Sequence, residues 1–222
     1  MIAYACGLSL SIAIADPSAY LGFVIMGLVL VMSGAFAIQA QGIVILWGPF
    51  RFQKANPNHR ISSMKRSIRQ ICAMWGVFLF AVPTCIAIAE TILGWNSQWI
   101  HFPFQWLVGL LLFTLAGTVG LASNAAMNKH GKGTPLPSDC AVQLVVKGPY
   151  RFVRNPMALT GITQGIAVGI GLGSPLVVTY AVSGAIMWEI LVRPLEETYL
   201  EQEFGEDYIQ YGKQTRCWIP RI

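Results

Sequence analysis

Two short segments in the second half of the chain carry residue types that bind charged ligands. One reads Lys-Gly-Pro-Tyr-Arg-Phe-Val-Arg-Asn-Pro over residues 147–156. Gly-Pro and Asn-Pro predict turns, because proline fixes its own φ and disfavours a helical conformation in the residue before it. A helix is then expected to begin at Pro156, and a helix N-terminus favours an anion such as a carboxylate. The arginines and the tyrosine are equally typical of an anchor at a lipid headgroup layer.

The second segment begins at Arg193 and contains two adjacent acids, Glu196 and Glu197. Pro194 fits the first turn of a new helix, which places both carboxylates where the helix dipole stabilises negative charge. Paired carboxylates suit a cationic ligand, although a solvated acidic helix start has the same sequence. The planar fork of Arg193 matches a carboxylate or a phosphate. Alternatively, Arg193 is a helix-end residue whose charge reaches the membrane interface.

Aromatic residues follow the acidic pair at positions Tyr199, Phe204, Tyr208, Tyr211 and Trp218. They could cover a flat ring such as adenine, and they could equally form an interfacial belt. The 3 histidines are far apart in sequence, and the 5 cysteines are odd in number and show no CxxC spacing. We therefore expect neither a metal site nor a disulfide framework.

The rest of the chain positions these two segments. The composition of the whole chain indicates a membrane protein. It is 55% hydrophobic and 11% charged, whereas about a quarter of a soluble domain is charged. Apolar runs long enough for a crossing of about 20 residues occupy residues 18–48, 71–93 (with a kink expected at Pro83), 105–123 and 156–192. The last run is too long for one helix and is broken at 171–175, which predicts a helical hairpin. Residues 1–15, before an expected turn at 16–18, add a short further crossing, so we expect an all-α, multi-pass protein with five or six transmembrane helices.

The positive charges indicate how this chain is oriented. Six Lys and Arg residues lie in 51–69, five in 129–154 and four in 193–221, and these account for all 15. The polar breaks between the clusters carry no Lys or Arg, which is the positive-inside pattern. The loop 124–155 and the tail 193–222 flank the hairpin, so both are expected on the cytoplasmic face. The net charge of +5 then indicates a partner in anionic lipid, and no nucleic acid.

This orientation is directly testable. Tags placed after Ile222 and near His130 should both be cytoplasmic, and a tag near Ser97 should lie on the opposite side, because the basic clusters stay inside. Labelling with a membrane-impermeant reagent in intact and opened cells distinguishes the two sides. Labelling of position 97 from the cytoplasm would contradict the orientation.

Three strings occur in order in the second half. They are Gly148-Pro149-Tyr150-Arg151-Phe152-Val153-Arg154-Asn155-Pro156-Met157, Arg193-x-x-Glu196-Glu197-x-x-Leu200 and Phe204-Gly205-x-x-Tyr208-x-x-Tyr211. Together they resemble the isoprenylcysteine carboxyl methyltransferase and phospholipid methyltransferase superfamily, and the upstream loop 131–137 is similar to one in many bacterial members. The resemblance covers about residues 115–222. We therefore expect 1–114 to hold N-terminal transmembrane helices and 115–222 to form the methyltransferase core.

The resemblance implies an integral-membrane enzyme, in a bacterial inner membrane, that binds S-adenosylmethionine on its cytoplasmic side. The implied cofactor-binding residues are Tyr150, Arg154, Asn155, Pro156, Glu196, Glu197, Tyr208 and Tyr211. Of these, the two glutamates would pair with the cationic part of the cofactor. Arg193 would face a lipophilic or small-molecule methyl acceptor, and Arg154 is the second candidate for that role. The reaction would be direct displacement at the methyl carbon, which depends on positioning more than on acid–base chemistry and requires no metal.

Two positions depart from the superfamily pattern. Asn155 stands where the eukaryotic carboxyl methyltransferases have histidine, and an amide hydrogen-bonds but cannot titrate near neutral pH. Ala158 stands where many relatives have tyrosine, which would open the acceptor side. The alternatives are an NADPH-dependent membrane reductase of the sterol-reductase type, which resembles the superfamily in its C-terminal half, and a non-enzymatic scaffold or transporter. A transporter predicts charges near the middle of its spans, and these spans have none there.

Overall fold

In a computed structural model of the chain, residues 63–95, 101–134 and 140–220 are described, together with isolated helical positions between 24 and 32. The crossing predicted over 1–15, the turn at 16–18 and most of 18–48 lie outside the described residues. Within the described residues every regular element is helical and there is no β-strand, which confirms the all-α fold class.

Three helices of the described residues are long and apolar enough to cross a membrane. They are Met64–Ile92, Gln105–Gly131 and Pro175–Phe204, and a shorter apolar helix occupies Pro156–Leu172. They confirm the multi-pass membrane class. The total of five or six crossings and the division at residues 114 and 115 stay predictions.

The first long helix contains the expected distortion at Pro83. It comprises α1 (Ser63–Met74), a π-helical segment (Trp75–Ala81) and α2 (Val82–Ile92). Proline has no N–H, and its ring collides with a carbonyl one turn earlier in a regular helix. The wider π segment lies where that collision would occur. The apolar run starts at residue 71, but the helix already begins at Ser63. The basic residues Lys65, Arg66 and Arg69 are compatible with a helix, although they are not compatible with a hydrocarbon core.

The second long helix also extends past its apolar run. Helix α3 (Gln105–Ala126) continues as a π-helical turn (Met127–Gly131), so the prediction of a loop from residue 124 is wrong for this stretch. The amide of Asn128 donates to the backbone oxygen of Asn124 at 2.9 Å and to the hydroxyl of Ser67 at 2.9 Å. Polar side chains here stabilise the helix by hydrogen bonds instead of ending it. The helix ends at Lys132, whose φ is 56°.

The predicted hairpin is present and breaks where the sequence indicated. Helix α4 (Pro156–Leu172) is followed by Gly173, whose φ of 66° suits glycine. Ser174 then caps α5 (Pro175–Met187), and its hydroxyl accepts from the backbone N–H of Val177 at 3.1 Å. The glycines of α4 allow close packing, since a Cβ built at Gly169 would lie 2.6 Å from the side chain of Val178.

The described residues belong to two compact units. The first unit includes Phe78–Phe113 and Ile162–Val192, and a buried carboxylate is part of its core. Glu90 is 6% exposed. It accepts hydrogen bonds from the hydroxyl of Ser174 and from the backbone N–H of Leu176 at the start of α5. The carboxyl oxygens of Glu90 therefore satisfy donors at the N-terminus of α5.

The second unit includes Thr114–Gly161 and Arg193–Ile222 and contains the polar residues of interest. A π-helical turn (Trp188–Val192) precedes α6 (Arg193–Phe204), and α7 (Glu206–Gln214) follows it. The helix Pro175–Phe204 has 30 residues, which corresponds to about 45 Å, longer than a hydrocarbon core of about 30 Å. Its apolar part ends at Val192. We therefore place the charged helix α6 outside the hydrocarbon.

Candidate functional site

The segment that precedes α4 forms a tight turn in the second unit. Residues Gly148–Arg151 are a short 3₁₀ helix, with Gly148 at a φ of 64° and Pro149 in the first turn. The aromatic ring of Tyr150 is buried, with 5% of the residue exposed. The sequence prediction of a rigid turn is therefore right, and glycine and proline are the local reasons for it.

The tail pairs with this turn through its backbone. The N–H of Arg154 donates to the carbonyl of Arg216 at 2.9 Å, and the N–H of Asn155 donates to the carbonyl of Cys217 at 3.5 Å. Arg216 and Cys217 are not among the site residues predicted from the sequence. Their contribution here is made by main-chain carbonyls, which every residue carries, so no side-chain pattern could have indicated it.

Two tyrosines of α7 close the same cluster. The hydroxyl of Tyr211 donates to the backbone carbonyl of Tyr150 at 2.5 Å. The rings of Tyr208 and Tyr211 meet edge to face with centroids 6.2 Å apart. Burial raises the pKa of Tyr150, Tyr208 and Tyr211 above the usual phenol value, so all three stay protonated donors at physiological pH.

The two adjacent glutamates of α6 lie beside this turn and have different partners. The side-chain amide of Asn155 donates to Oε2 of Glu196 at 3.0 Å. Oε1 of Glu197 lies 2.8 Å from Nη2 of Arg154 and 3.0 Å from Nε of Arg193. One carboxylate therefore binds an amide, and the other binds two guanidinium groups.

The carboxyl group of Glu196 has a raised pKa. Burial of the carboxyl group, opposed in part by the hydrogen bond from Asn155 and reinforced by the charge of Glu197, raises its pKa to about 7. Glu196 makes no salt bridge to any residue that the structure describes. Near neutral pH this group is poised between its charged and neutral forms, and a nearby cation would favour the charged form.

The structure brings the predicted site residues together, but Pro156 lies in different surroundings from the others. The two arginines, the two glutamates, Asn155 and the three tyrosines are connected by the contacts above. Pro156 is buried and lines a small apolar cavity of about 170 Å³ together with Phe152, Val153 and Leu159. One turn thus has a charged side and an apolar side, and Pro156 belongs to the apolar side.

Comparison with known protein families assigns this part of the chain. The family model described as phospholipid methyltransferase matches residues 104–207, from the start of α3 into α7. The match includes the turn and the acidic pair, while Tyr208, Tyr211 and the 216–217 backbone lie beyond it. No curated protein matches the chain. This part of the chain is therefore similar to phospholipid methyltransferase domains, which belong to the superfamily that the sequence motifs resemble.

Proposed function

We propose that this protein is an integral-membrane, S-adenosylmethionine-dependent methyltransferase. Its acceptor is lipophilic or delivered from the membrane, and it presents a carboxylate, a thiol or a lipid headgroup. The family assignment supports methyl transfer and the apolar helices support a bilayer environment. In this proposal the site faces the cytoplasm, as the basic clusters predict, and the membrane is the bacterial inner membrane.

The observation that supports the cofactor most directly is the half-buried carboxylate of Glu196, held by a hydrogen bond from Asn155. S-adenosylmethionine has a positively charged sulfur, an ammonium group and a carboxylate. Glu196 fits either cation, and the guanidinium groups of Arg154 and Arg193 fit the carboxylate or an anionic acceptor. The Nε of Arg154 is buried without a hydrogen-bond partner in the described structure, so this guanidinium has unused donor capacity.

The bound cofactor would supply a methyl group on a cationic sulfur, which is transferred to the acceptor by displacement at carbon. The protein residues would contribute orientation and exclusion of water. The buried phenols of Tyr150, Tyr208 and Tyr211 cover the cluster, and Asn155 fixes the direction of the Glu196 carboxylate. A carboxylate acceptor needs no base.

A pair of calorimetric titrations tests this function. We expect the full chain, purified in detergent micelles or nanodiscs, to bind S-adenosylhomocysteine saturably and to show no comparable binding of NADPH. The reason is that the cluster offers the carboxylate of Glu196 to a cation, and S-adenosylhomocysteine has an ammonium group whereas NADPH has no cationic group. Saturable NADPH binding without S-adenosylhomocysteine binding would replace this proposal by the reductase alternative. Failure of both ligands to bind would leave the scaffold alternative.

A further inference from the structure

Adjacent residues on a helix point about 100° apart, so Glu196 and Glu197 cannot both present their carboxylates to one ligand atom from the same direction. The two glutamate side chains accordingly contact different residues. Glu197 lies on the same helix face as Arg193, four residues earlier, and a single oxygen of Glu197 contacts both Arg193 and Arg154. Glu196 contacts the amide of Asn155. The acidic pair is thus two sites with separate partners.

The two sites differ in the charged groups that the structure shows at each. At one of them two guanidiniums contact a single carboxylate oxygen of Glu197, and the Nε of Arg154 has no hydrogen-bond partner among the described residues. Glu196 and its neutral amide partner carry a charge of −1 when the carboxyl is ionised. The side chains of Arg154 and Glu197 are 15% and 24% exposed, so solvent screens this arrangement less than it screens a surface ion pair. A cation is therefore attracted to Glu196, and an anion to the arginine pair.

We propose that Glu197 is a positioning residue and that Glu196 alone recognises the positive sulfur of the cofactor. Glu197 holds the guanidiniums of Arg154 and Arg193 side by side, across the gap between the turn and helix α6. That arrangement orients an anionic group of the acceptor for transfer. This inference rests on the proposed function, and it revises the expectation from the sequence that both glutamates pair with the cofactor's cation.

The test compares the affinities for S-adenosylmethionine and S-adenosylhomocysteine in the full-length protein, since the two differ in the charged sulfur and its methyl group. The ratio of their Kd values reports recognition of that charge and is insensitive to a general loss of folded protein. We expect Glu196→Gln to bring this ratio close to one. We expect Glu197→Gln to keep the ratio of the unmodified protein within about twofold and to lower methyl transfer at least tenfold.

Two further variants complete the design. Glu197→Asp keeps the charge but shortens the side chain, so its transfer rate should lie between those of Glu197→Gln and the unmodified protein, with the Kd ratio unchanged. This variant also stands in for Glu197→Gln if the amide variant does not fold. Glu201→Gln, which removes an exposed carboxylate one turn later on α6, is the matched control and should change neither quantity.

Loss of the Kd ratio in Glu197→Gln or Glu197→Asp would overturn the separation of roles, as would normal transfer in both. Failure of the proposed function looks different: the unmodified protein would bind neither S-adenosylmethionine nor S-adenosylhomocysteine, and the inference would fall with it. Transfer is measured as radiolabelled methyl entering the organic-extractable fraction of membranes that contain the protein.

Discussion

Arg193→Lys should lose most methyl transfer while expression, folding and affinity for S-adenosylhomocysteine are retained. The Nε of Arg193 contacts Glu197 at 3.0 Å, which fixes the plane of the guanidinium. Lysine keeps the charge but has no Nε donor and no planar fork, so it cannot keep this contact and bind an acceptor anion at the same time. The measurement is radiolabelled methyl transfer beside calorimetric titration of S-adenosylhomocysteine.

The alternative role of Arg193 predicts another result. A residue whose charge only reaches from a helix end to the interface tolerates lysine, because charge and reach are all that matter there. Near-normal turnover in Arg193→Lys would show this anchoring role. Arg154, which shares the same oxygen of Glu197 at 2.8 Å, would then be the better candidate for the acceptor side.

Glu196→Gln should weaken S-adenosylmethionine binding by roughly ten- to a hundredfold, about the 1.5–3 kcal/mol expected for a hydrogen bond to a charged group. Glutamine keeps an oxygen that can accept from Asn155, so the substitution removes the charge and leaves the local hydrogen bond possible. Calorimetric Kd values for the variant and the unmodified protein measure the effect. Equal Kd values would show that Glu196 does not face the cofactor.

The pH dependence of the same titration is an internal control. The pKa of Glu196 is about 7, and a cation binds the ionised form. The ionised fraction rises with pH, so affinity should increase by up to about tenfold between one unit below and one unit above that pKa. In Glu196→Gln the same pH change should have a much smaller effect. A profile that stays unchanged in the variant would assign the titration to another group.

Local rules explain why part of this structure was predictable. Gly148 and Pro149 specify the turn, Gly173 and Pro175 specify the break in the hairpin, and apolar runs specify the membrane helices. Each of these features depends on residues close in sequence. The motifs likewise identified which residues meet in the site, because the turn and the tail flank one hairpin.

The partners within the site depended on tertiary contacts that sequence does not reveal. Nothing in the string Glu196-Glu197 indicates that the first residue binds an amide and the second binds two arginines. Helix ends were also misjudged, because hydropathy marks where a helix becomes polar and not where it stops. Asn128 shows this directly, as its hydrogen bonds stabilise helical turns that composition assigned to a loop.

The separation of the site residues along the chain has a consequence for biogenesis. Asn155 and Glu196 are 41 residues apart, and Tyr150 and Tyr211 are 61 apart, with the whole hairpin between them. Contacts across such intervals form only after the intervening loop is closed. During synthesis, the turn leaves the ribosome before α4 and α5, and its acidic and aromatic partners follow them. The charged cluster therefore assembles only after both arms of the hairpin have been made, so a chain stalled within the hairpin lacks this cluster.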